Sequence, residues 1–383
     1  MRQRLAGQTI QKLAANFPVI TVSGPRQSGK TSLTRNMFPD HEYVSLDNME
    51  AREFAENDPR GFLDRFRNGV ILDEPLRCPI LLSFLRDAVD SRPVPGRFIL
   101  ISSHRLLPDR DMPSLIGLMA RCTVLAPGLE EYENQPLADE LDTAMFRGAY
   151  PALLDQTTSP VEWYGNYIRT FIEQDARSMT NIRDLSAFER FVRICAASSG
   201  MLLNLSGMAS DCGITHNTVR AWLEVLENAY LVFRLYPLAE GFKRRVVKAP
   251  KLYFYDSGLA ARLLSIVSVE QLGTHPMRGA LFEGFIISDA IKSRIHRGQD
   301  DALHFWRDRT GNEADLLIPH GDKLQPVEIK SGKTLNRDYF KGLRKWLSLA
   351  GNIAVDPCLI YGGDFSGQRE GVTVSPWNAP CLH

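Results

Sequence analysis

The feature that most constrains the fold of this chain is a glycine-containing loop between an apolar run and a helix-forming segment. The loop reads Gly24-Pro-Arg-Gln-Ser-Gly29-Lys30-Thr31 and matches the pattern GxxxxGK followed by Ser or Thr. Val19–Val22 precedes it as a short β-branched run, and Ser32–Met37 follows with a helical pattern. A strand, a loop and a helix in this order are the context that the pattern requires. The sequence therefore predicts a phosphate-binding loop in an α/β domain.

The chemistry of this loop suits a nucleoside triphosphate with Mg²⁺. Its backbone N–H groups and the start of the following helix offer positive potential to phosphate oxygens. Lys30 would reach the β- and γ-phosphates, and the Thr31 hydroxyl would ligate Mg²⁺. We expect ATP and Mg²⁺ as cofactors, held by the loop residues Gly24, Pro25, Arg26, Gln27, Ser28, Gly29, Lys30, Thr31 and Ser32.

An apolar run that ends in two acids supplies the second part of the predicted site. Val70–Leu72 is followed by Asp73 and Glu74. Asp73 would hold Mg²⁺ through water, and Glu74 would activate the attacking water as general base. Polar residues follow the next apolar run, Phe98–Ile101, and Ser103 is expected beside the γ-phosphate. Either feature alone also suits an ordinary solvated strand end.

Short apolar runs alternate with helical patterns through the first third of the chain. They are Val19–Val22, Tyr43–Leu46, Val70–Leu72, Phe98–Ile101 and Thr123–Leu125. Because these runs are continuously apolar, a parallel sheet with helices on both faces is expected. Helical patterns prevail from about residue 137, and strand signals return near residue 251. A chain of 383 residues is long for one core, so we predict domains at 1–132, 133–245 and 246–383.

Composition limits the partners and the compartment. The formal net charge is zero, so no overall field attracts nucleic acid or membrane, and such binding must come from local patches. The six cysteines are scattered without metal-binding spacing, which favours reduced thiols. No apolar run approaches the roughly 20 residues of a membrane helix, and the start of the chain lacks a signal-peptide pattern. A cytoplasmic protein is expected.

A helix–turn–helix pattern lies in the predicted middle domain. Leu205–Cys212 and Thr215–Asn228 flank Gly213, and Tyr230–Tyr236 could be the wing strand of a winged helix. The start of the second helix would expose Thr215, His216, Asn217 and Arg220, which are suited to base edges and phosphates. A winged helix used only for packing is the alternative. The basic residues Lys243, Arg244 and Arg245 are the best local candidates for phosphate contact, with a solvated loop as their alternative.

The predicted C-terminal domain contains acids at strand positions that share a face. Glu328 and Lys330 are two residues apart on one strand, and Asp315 lies on the strand before it. Two carboxylates could hold Mg²⁺ while Lys330 orients water or steadies phosphate charge. Glu283, on a predicted helix Leu281–Ile295, could add a third acid. This set resembles the core of PD-(D/E)xK nucleases, which also persists as a binding surface without activity.

The motifs together resemble a known family. The segments GPRQSGKTSL, YVSLDN, DPRGFL, GVILDE and GRFILISS resemble the AAA-type ATPase domain of a large prokaryotic family. That family joins this domain to a C-terminal domain of unknown function numbered 4143, which KLYFYDSGLAARLL, RGALFEGFI, EADLLI and VEIKSG resemble. The resemblance implies an AAA-like P-loop sheet domain, a helical winged-helix region and a C-terminal α/β nuclease-like domain.

The chain departs from the family pattern at three places. Leu76 stands where the family usually has glutamine, with Pro75 between it and Glu74. Ile-Ser-Ser-His at 101–104 replaces Thr-Gly-Ser-Gln, and Leu-Met-Ala-Arg at 118–121 replaces Leu-Ala-Gly-Arg. ATP binding is expected to survive these changes, whereas they leave the rate of hydrolysis open. Arg121 aligns with the family's arginine and could contact the γ-phosphate, or it could be a plain surface arginine.

Two functions of different classes follow from these observations. The first is an oligomeric AAA-like ATPase whose nucleotide state controls a winged-helix and nuclease-like arm that acts on DNA. The second is an ATP-gated interaction protein whose C-terminal modules bind a protein partner and cut nothing. A P-loop kinase for a small molecule is disfavoured because Glu74 suits activation of water and no lid motif is present.

Overall fold

The computed structural model describes residues 4–106, 112–132, 140–154, 157–176, 182, 184–238 and 246–382. The chain forms two compact units. The first contains the residues up to Glu131 together with two short later segments, Asn228–Tyr230 and Lys292–Asp300. The second contains the remaining residues.

A five-stranded parallel sheet forms the centre of the first unit, in the order β2-β3-β4-β1-β5. Its strands are β1 Val19–Ser23, β2 Glu42–Ser45, β3 Val70–Asp73, β4 Phe98–Ser102 and β5 Met119–Thr123. Its helices are α1 Leu5–Ala14, α2 Lys30–Met37, α3 Met49–Asn57, α4 Pro59–Asp64 and α5 Pro79–Ser91.

The two faces of this sheet are both buried, as its apolar strands predict. Successive residues of β3 pack into different cores: Val70 and Leu72 on one side and Ile71 on the other. The same alternation holds in β4, where Phe98 and Ile99 belong to opposite cores. Side chains alternate across a strand, so an uninterrupted apolar run fits a sheet covered on both sides. The predicted α/β class is confirmed.

The prediction for the last strand of this sheet is wrong in position. We expected Thr123–Leu125, but β5 covers Met119–Thr123. Val124 and Leu125 are fully buried just beyond the strand, so their apolarity reflects burial of a connecting segment. β5 is an edge strand, and one of its faces is more open, which explains how it accommodates the exposed Arg121.

An eight-stranded mixed sheet dominates the second unit, in the order β12-β13-β11-β10-β9-β8-β6-β7. The strands are β6 Val232–Pro237, β7 Lys251–Phe254, β8 His304–Arg307, β9 Glu313–His320, β10 Lys323–Lys330, β11 Cys358–Tyr361, β12 Gly367–Arg369 and β13 Val372–Pro376. The first helices of this part are α6 Leu141–Arg147, α7 Pro160–Thr170, α8 Leu185–Ala197, α9 Leu205–Cys212 and α10 His216–Asn228. The later ones are α11 Ser257–Leu263, α12 Val269–Thr274, α13 Arg278–His296 and α14 Lys341–Ala350.

The strand predicted as a wing belongs to this large sheet. β6 pairs antiparallel with β7 and parallel with β8. The helix–turn–helix before it is present as α9 and α10, with Gly213 in the left-handed conformation (φ 69°) that ends α9. β6 therefore forms part of a domain-sized sheet.

Two cysteines form a disulfide, contrary to the expectation of reduced thiols. Cys358 at the start of β11 is bonded to Cys381, with their Cα atoms 6.4 Å apart. The chain returns past β11 after β13, which brings together residues 23 positions apart. The other four cysteines are free and buried. Among the described residues, no helix combines the length and the apolarity needed to span a membrane.

Candidate nucleotide site and a second acidic cluster

The loop Gly24–Thr31 connects β1 to α2 and is held tightly against the end of the sheet. A Cβ atom at Gly24 would lie 2.1 Å from the carbonyl oxygen of Val124, so only glycine fits. Gly29 has φ 92°, a conformation that other residues rarely adopt. The hydroxyl of Ser28, which is fully buried, donates to the same Val124 carbonyl at 2.8 Å. The loop is therefore shaped by its own sequence and by the segment after β5.

Lys30 lies inside the loop at the first position of α2. Its side chain is buried, and Nζ donates to the carbonyl oxygens of Gly24 at 2.8 Å and Pro25 at 2.7 Å. The ammonium group thus lies on the concave side of the loop, where backbone N–H groups would donate hydrogen bonds to a bound phosphate. Of the remaining loop residues, Gln27 and Ser32 are exposed and Arg26 is half-buried.

Thr31 and Asp73 meet at the ends of adjoining elements. The Thr31 hydroxyl donates to Oδ2 of Asp73 at 3.1 Å, and Tyr43 on β2 donates to the same oxygen at 2.7 Å. Burial and the neighbouring carboxylate raise the pKa of Tyr43 to about 12, so it remains a donor at neutral pH. A hydroxyl and a carboxylate oxygen are ligands that suit Mg²⁺. The residues present therefore fit the expected ion.

Glu74 is fixed by the neighbouring strand end. Oε1 accepts the backbone N–H of Ser103 at 2.9 Å and the Ser103 hydroxyl at 2.5 Å. Burial raises the pKa of Glu74, although these hydrogen bonds and the charge of Lys30 act in the other direction. Ser103, which we expected beside the γ-phosphate, contacts the predicted base. The structure brings Lys30, Thr31, Asp73, Glu74 and Ser103 to one edge of the sheet, and their catalytic roles stay predictions.

The departures from the family pattern have structural counterparts. Leu76 packs against the core on one face of the sheet, where glutamine would bury an amide. Pro75 begins a short 3₁₀ turn, Pro75–Arg77, directly after Glu74. Ser102 is fully buried, and its hydroxyl accepts the backbone N–H of His104 at 3.1 Å.

A buried polar cluster behind the loop escaped the sequence analysis. Arg4 donates to the carbonyl oxygens of Ser28 at 3.0 Å and Leu125 at 2.7 Å, and its Nε pairs with Glu131 at 2.8 Å. Glu131 also accepts from His296 Nδ1 at 3.0 Å, and His296 Nε2 accepts the Leu125 N–H at 3.1 Å. The sequence does not indicate this cluster, because its charged members Arg4, Glu131 and His296 lie more than a hundred positions apart.

The protonation of this cluster follows from its hydrogen bonds. His296 is fully buried, and burial lowers its pKa. Its Nε2 already accepts a hydrogen bond, so the ring is neutral with the proton on Nδ1. Burial alone would raise the pKa of Glu131, but the donors from His296 and Gly128 and the charge of Arg4 lower it to about 2.

Tyr230 makes a second buried contact near the loop. Its hydroxyl and that of Ser23, the last residue of β1, are 2.7 Å apart. Arg105 lies over the Tyr230 ring at 5.6 Å from the centroid and donates its backbone N–H to Asn228. Tyr230 has a positive φ of 56°. These contacts occur two residues beyond the end of α10.

The four residues predicted to contact nucleic acid lie at the exposed start of α10, with Thr215 directly before its first residue. Thr215, His216, Asn217 and Arg220 are all exposed. Val219, Leu223 and Leu226 are buried on the opposite face, as their spacing predicts. Lys243, Arg244 and Arg245 lie outside the described residues.

The acids of the predicted nuclease-like site also come together, in the second unit. Lys330 Nζ lies 3.1 Å from Asp315 Oδ2 and 2.6 Å from Glu328 Oε1. Ligand atoms of Glu283, Glu313 and Asp315 lie within 4.8 Å of one another. The sequence analysis missed Glu313, although it is two residues before Asp315 on β9 and so shares its face.

A second lysine, also missed from sequence, lies inside this cluster. Lys251, the first residue of β7, donates to Glu283 at 2.8 Å and forms an ion pair with Glu313. Tyr253 donates to the same Glu283 oxygen at 2.5 Å. Burial alone would lower the pKa of Lys251, but the charges of Glu283 and Glu313 raise it.

Cations of the chain reduce the net charge of the cluster. Burial and the charge of Asp315 raise the pKa of Glu328 to about 8, and burial raises that of Glu283. The acids share the cations Lys251, Lys330 and Arg307, whose Nη1 lies 3.2 Å from Glu313. Cations of the chain therefore already lie beside the carboxylate oxygens that would hold the Mg²⁺ of a nuclease.

The parallel sheet and the loop after β1, with Lys30, Thr31 and Asp73 at its edge, define a P-loop NTPase fold. An AAA domain model matches residues 16–133. Two domains of unknown function, numbered 8612 and 4143, match residues 138–270 and 278–380. The chain therefore combines an AAA domain with a C-terminal domain 4143, as the resemblance implied. The winged-helix and nuclease-like details stay predictions.

Similar proteins are found in mycobacteria. Uncharacterised proteins of Mycobacterium tuberculosis and Mycobacterium bovis are each 26% identical to this chain over 343 residues, which covers 87% of this chain and 75% of each relative.

Solved structures show a more distant likeness. A Walker-type ATPase of Pyrococcus abyssi has a TM-score of 0.44 at 14% identity, covering 67% of this chain and 94% of that chain. AMPPCP-bound DnaA from Aquifex aeolicus has a TM-score of 0.29 at 12% identity, covering 58% and 86%. At these TM-scores the likeness carries no argument about function.

Proposed function

We propose that this protein binds ATP with Mg²⁺ and hydrolyses it. The observation that carries the proposal is the pairing of Thr31 with Asp73 at 3.1 Å, beside a loop whose concave side contains the Lys30 ammonium. On binding, Lys30 would exchange the carbonyl oxygens of Gly24 and Pro25 for phosphate oxygens. Thr31 and Asp73 would hold Mg²⁺, which neutralises charge on the phosphates.

Glu74 is the proposed general base. Its raised pKa gives a stronger base than an ordinary carboxylate, while Ser103 holds one oxygen through two hydrogen bonds. The second oxygen is then left to accept a proton from water. Arg121 is exposed on an edge strand, so a γ-phosphate contact would come from a neighbouring subunit of a homo-oligomer.

Calorimetry of ATP binding tests the nucleotide site. Lys30→Ala should abolish measurable ATP binding because the charge facing the β- and γ-phosphates is lost. Lys12→Ala is the matched control, since Lys12 is an exposed lysine on α1, and it should bind ATP as the parent does. Parent-like ATP affinity in Lys30→Ala, with Lys12→Ala also unchanged, contradicts the proposal.

Action on DNA is the second part of the proposal. It is supported by the exposed quartet Thr215, His216, Asn217 and Arg220 at the start of α10, an arrangement suited to groove and phosphate contacts. The alternative, an ATP-gated module that binds a protein partner, is favoured by the ion-paired acids of the second unit. Hydrolysis measured with and without DNA at two salt concentrations distinguishes them, because only DNA binding gives a stimulated rate that falls with salt.

A further inference from the structure

The acidic cluster of the second unit is closed by cations of the chain itself. Lys251 Nζ pairs with Glu283 at 2.8 Å and with Glu313, while Lys330 pairs with Asp315 at 3.1 Å and Glu328 at 2.6 Å. Each acid thus has an ammonium group within ion-pair distance. A divalent ion would need oxygens of these carboxylates at about 2.0–2.6 Å, the metal–oxygen distances of Mg²⁺ and Ca²⁺, and would therefore lie close to the two ammonium groups.

The position of Lys251 is fixed from several sides. Its side chain is 4% exposed, and Nζ lies 5.4 Å from the centroid of the Phe305 ring. Its backbone belongs to β7, which pairs with β6, and bridges to Leu202 on its other side. A buried ammonium held in this way is difficult to withdraw, because Glu283 would keep only the Tyr253 hydroxyl and Glu313 only the partly exposed Arg307 as partners.

A helix covers the cluster near Glu328. A Cβ atom at Gly342 of α14 would lie 3.0 Å from Glu328 Oε2 and 2.6 Å from the Glu313 carbonyl oxygen. Backbone therefore packs directly over these acids, and little room remains for a hydrated ion.

We propose that Lys251 occupies the place of the divalent cation, so that this cluster is a metal-free ion network that holds β7, β9, β10 and α13 together. The ammonium group of Lys251 has three N–H donors and supplies one positive charge at the point where Glu283 and Glu313 converge. The nuclease-like arm then has no metal-dependent cleavage of its own. This inference is independent of the ATP site.

Mn²⁺ binding measured by electron paramagnetic resonance, with the full chain and without nucleotide, tests the proposal in two comparisons. The parent and Asp315→Asn should bind the same amount of Mn²⁺, because the cluster does not take the ion. Lys251→Met should bind about one additional Mn²⁺ per chain, because its acids lose their counter-ion. The double variant Lys251→Met with Asp315→Asn should lose that additional site.

Either comparison can overturn the proposal. Mn²⁺ binding by the parent that disappears in Asp315→Asn would show that the cluster holds metal despite Lys251. A folded Lys251→Met protein with no additional Mn²⁺ would show that Lys251 does not stand in for an ion. Circular dichroism follows the folding of Lys251→Met. If this variant folds only when Mn²⁺ is present, the result supports the proposal that Lys251 takes the place of an ion.

Discussion

Glu74 has a φ of 55°, a left-handed conformation that residues other than glycine rarely adopt. Such a residue costs about 1–3 kcal/mol of strain and persists where the surroundings determine it. Here Ser103 binds its carboxylate through two donors, and Pro75 begins the next turn. The strain is located at the acid that we propose as general base.

Glu74→Gln should preserve ATP binding and lower kcat by about 10²–10⁴-fold, the usual contribution of a general base. The amide is the same size as the carboxylate but does not accept a proton from water. Phosphate release measures the rate, and calorimetry measures ATP affinity. Glu42→Gln, at an exposed glutamate on β2, is the control. Turnover at the parent rate would exclude Glu74 as the base.

Separate elements of the first unit are joined behind the loop. Arg4 at the start of α1, Glu131 after β5 and His296 at the end of α13 form one hydrogen-bonded set. Arg4 binds the carbonyl of Ser28, so this set supports the backbone of the phosphate-binding loop. Charged groups this well buried remain stable only when paired, which couples the positions of these three segments within the first unit.

Stability should fall in mild acid because of His296. Its pKa is lowered in the folded state by burial, so the unfolded chain takes up a proton first as pH falls through about 6.5. Its contribution is therefore complete above that pH and is lost below it, at up to about 1.4 kcal/mol per pH unit. The depressed pKa of Glu131 has the same sign but acts at lower pH, below about 4.5.

Urea unfolding between pH 5 and pH 7 measures this dependence. His296→Gln should flatten the plot of unfolding free energy against pH between about pH 5 and 6.5. The slope should fall by up to about 1.4 kcal/mol per pH unit, which corresponds to one proton. His216→Gln removes an exposed histidine of α10 and should leave the slope as in the parent. An unchanged slope in His296→Gln would mean that His296 takes up its proton over the same pH range in the folded and unfolded protein.

At the scale of the whole molecule, charge cannot drive binding to DNA by itself. The chain has 45 basic and 45 acidic residues, so any attraction depends on local groups. The quartet on α10 is one such group, and the basic run at 243–245 lies 15 positions beyond the end of that helix. Binding to phosphates releases counterions, which makes affinity depend on salt.

Replacing Lys243, Arg244 and Arg245 with glutamine should weaken DNA binding regardless of sequence. It should also reduce the salt slope by up to about three units, since each phosphate contact contributes about 0.9. Fluorescence anisotropy over a salt series measures the slope, and ATP affinity should not change. The matched control is a triple variant that replaces three exposed basic residues of the first unit with glutamine: Lys12, Arg67 and Arg92. Equal slopes in the two triples would reduce the basic run to a solvated loop.

The sequence by itself determined the parts whose residues are neighbours in the chain. The strand, loop and helix around Gly24–Thr31 follow from the glycines that the loop backbone requires and from the periodic spacing of apolar residues. The strand ending in Asp73 and Glu74, and the buried seam of α10, could be read in the same way. The position of β5 could not be read from the sequence. Val124 and Leu125 are apolar because they are buried, although they lie beyond the end of the strand.

Only the tertiary structure decided which charged groups are neighbours. Lys251 is 32 positions from Glu283, and Glu131 is 165 from His296, so no local pattern relates them. The pairing of Cys358 with Cys381 likewise depends on the return of the chain beside β11. The energy of a buried charge depends on its partner and its exclusion from water, and both are properties of packing. The same acid pattern can therefore surround a metal ion in one protein and a lysine in this one.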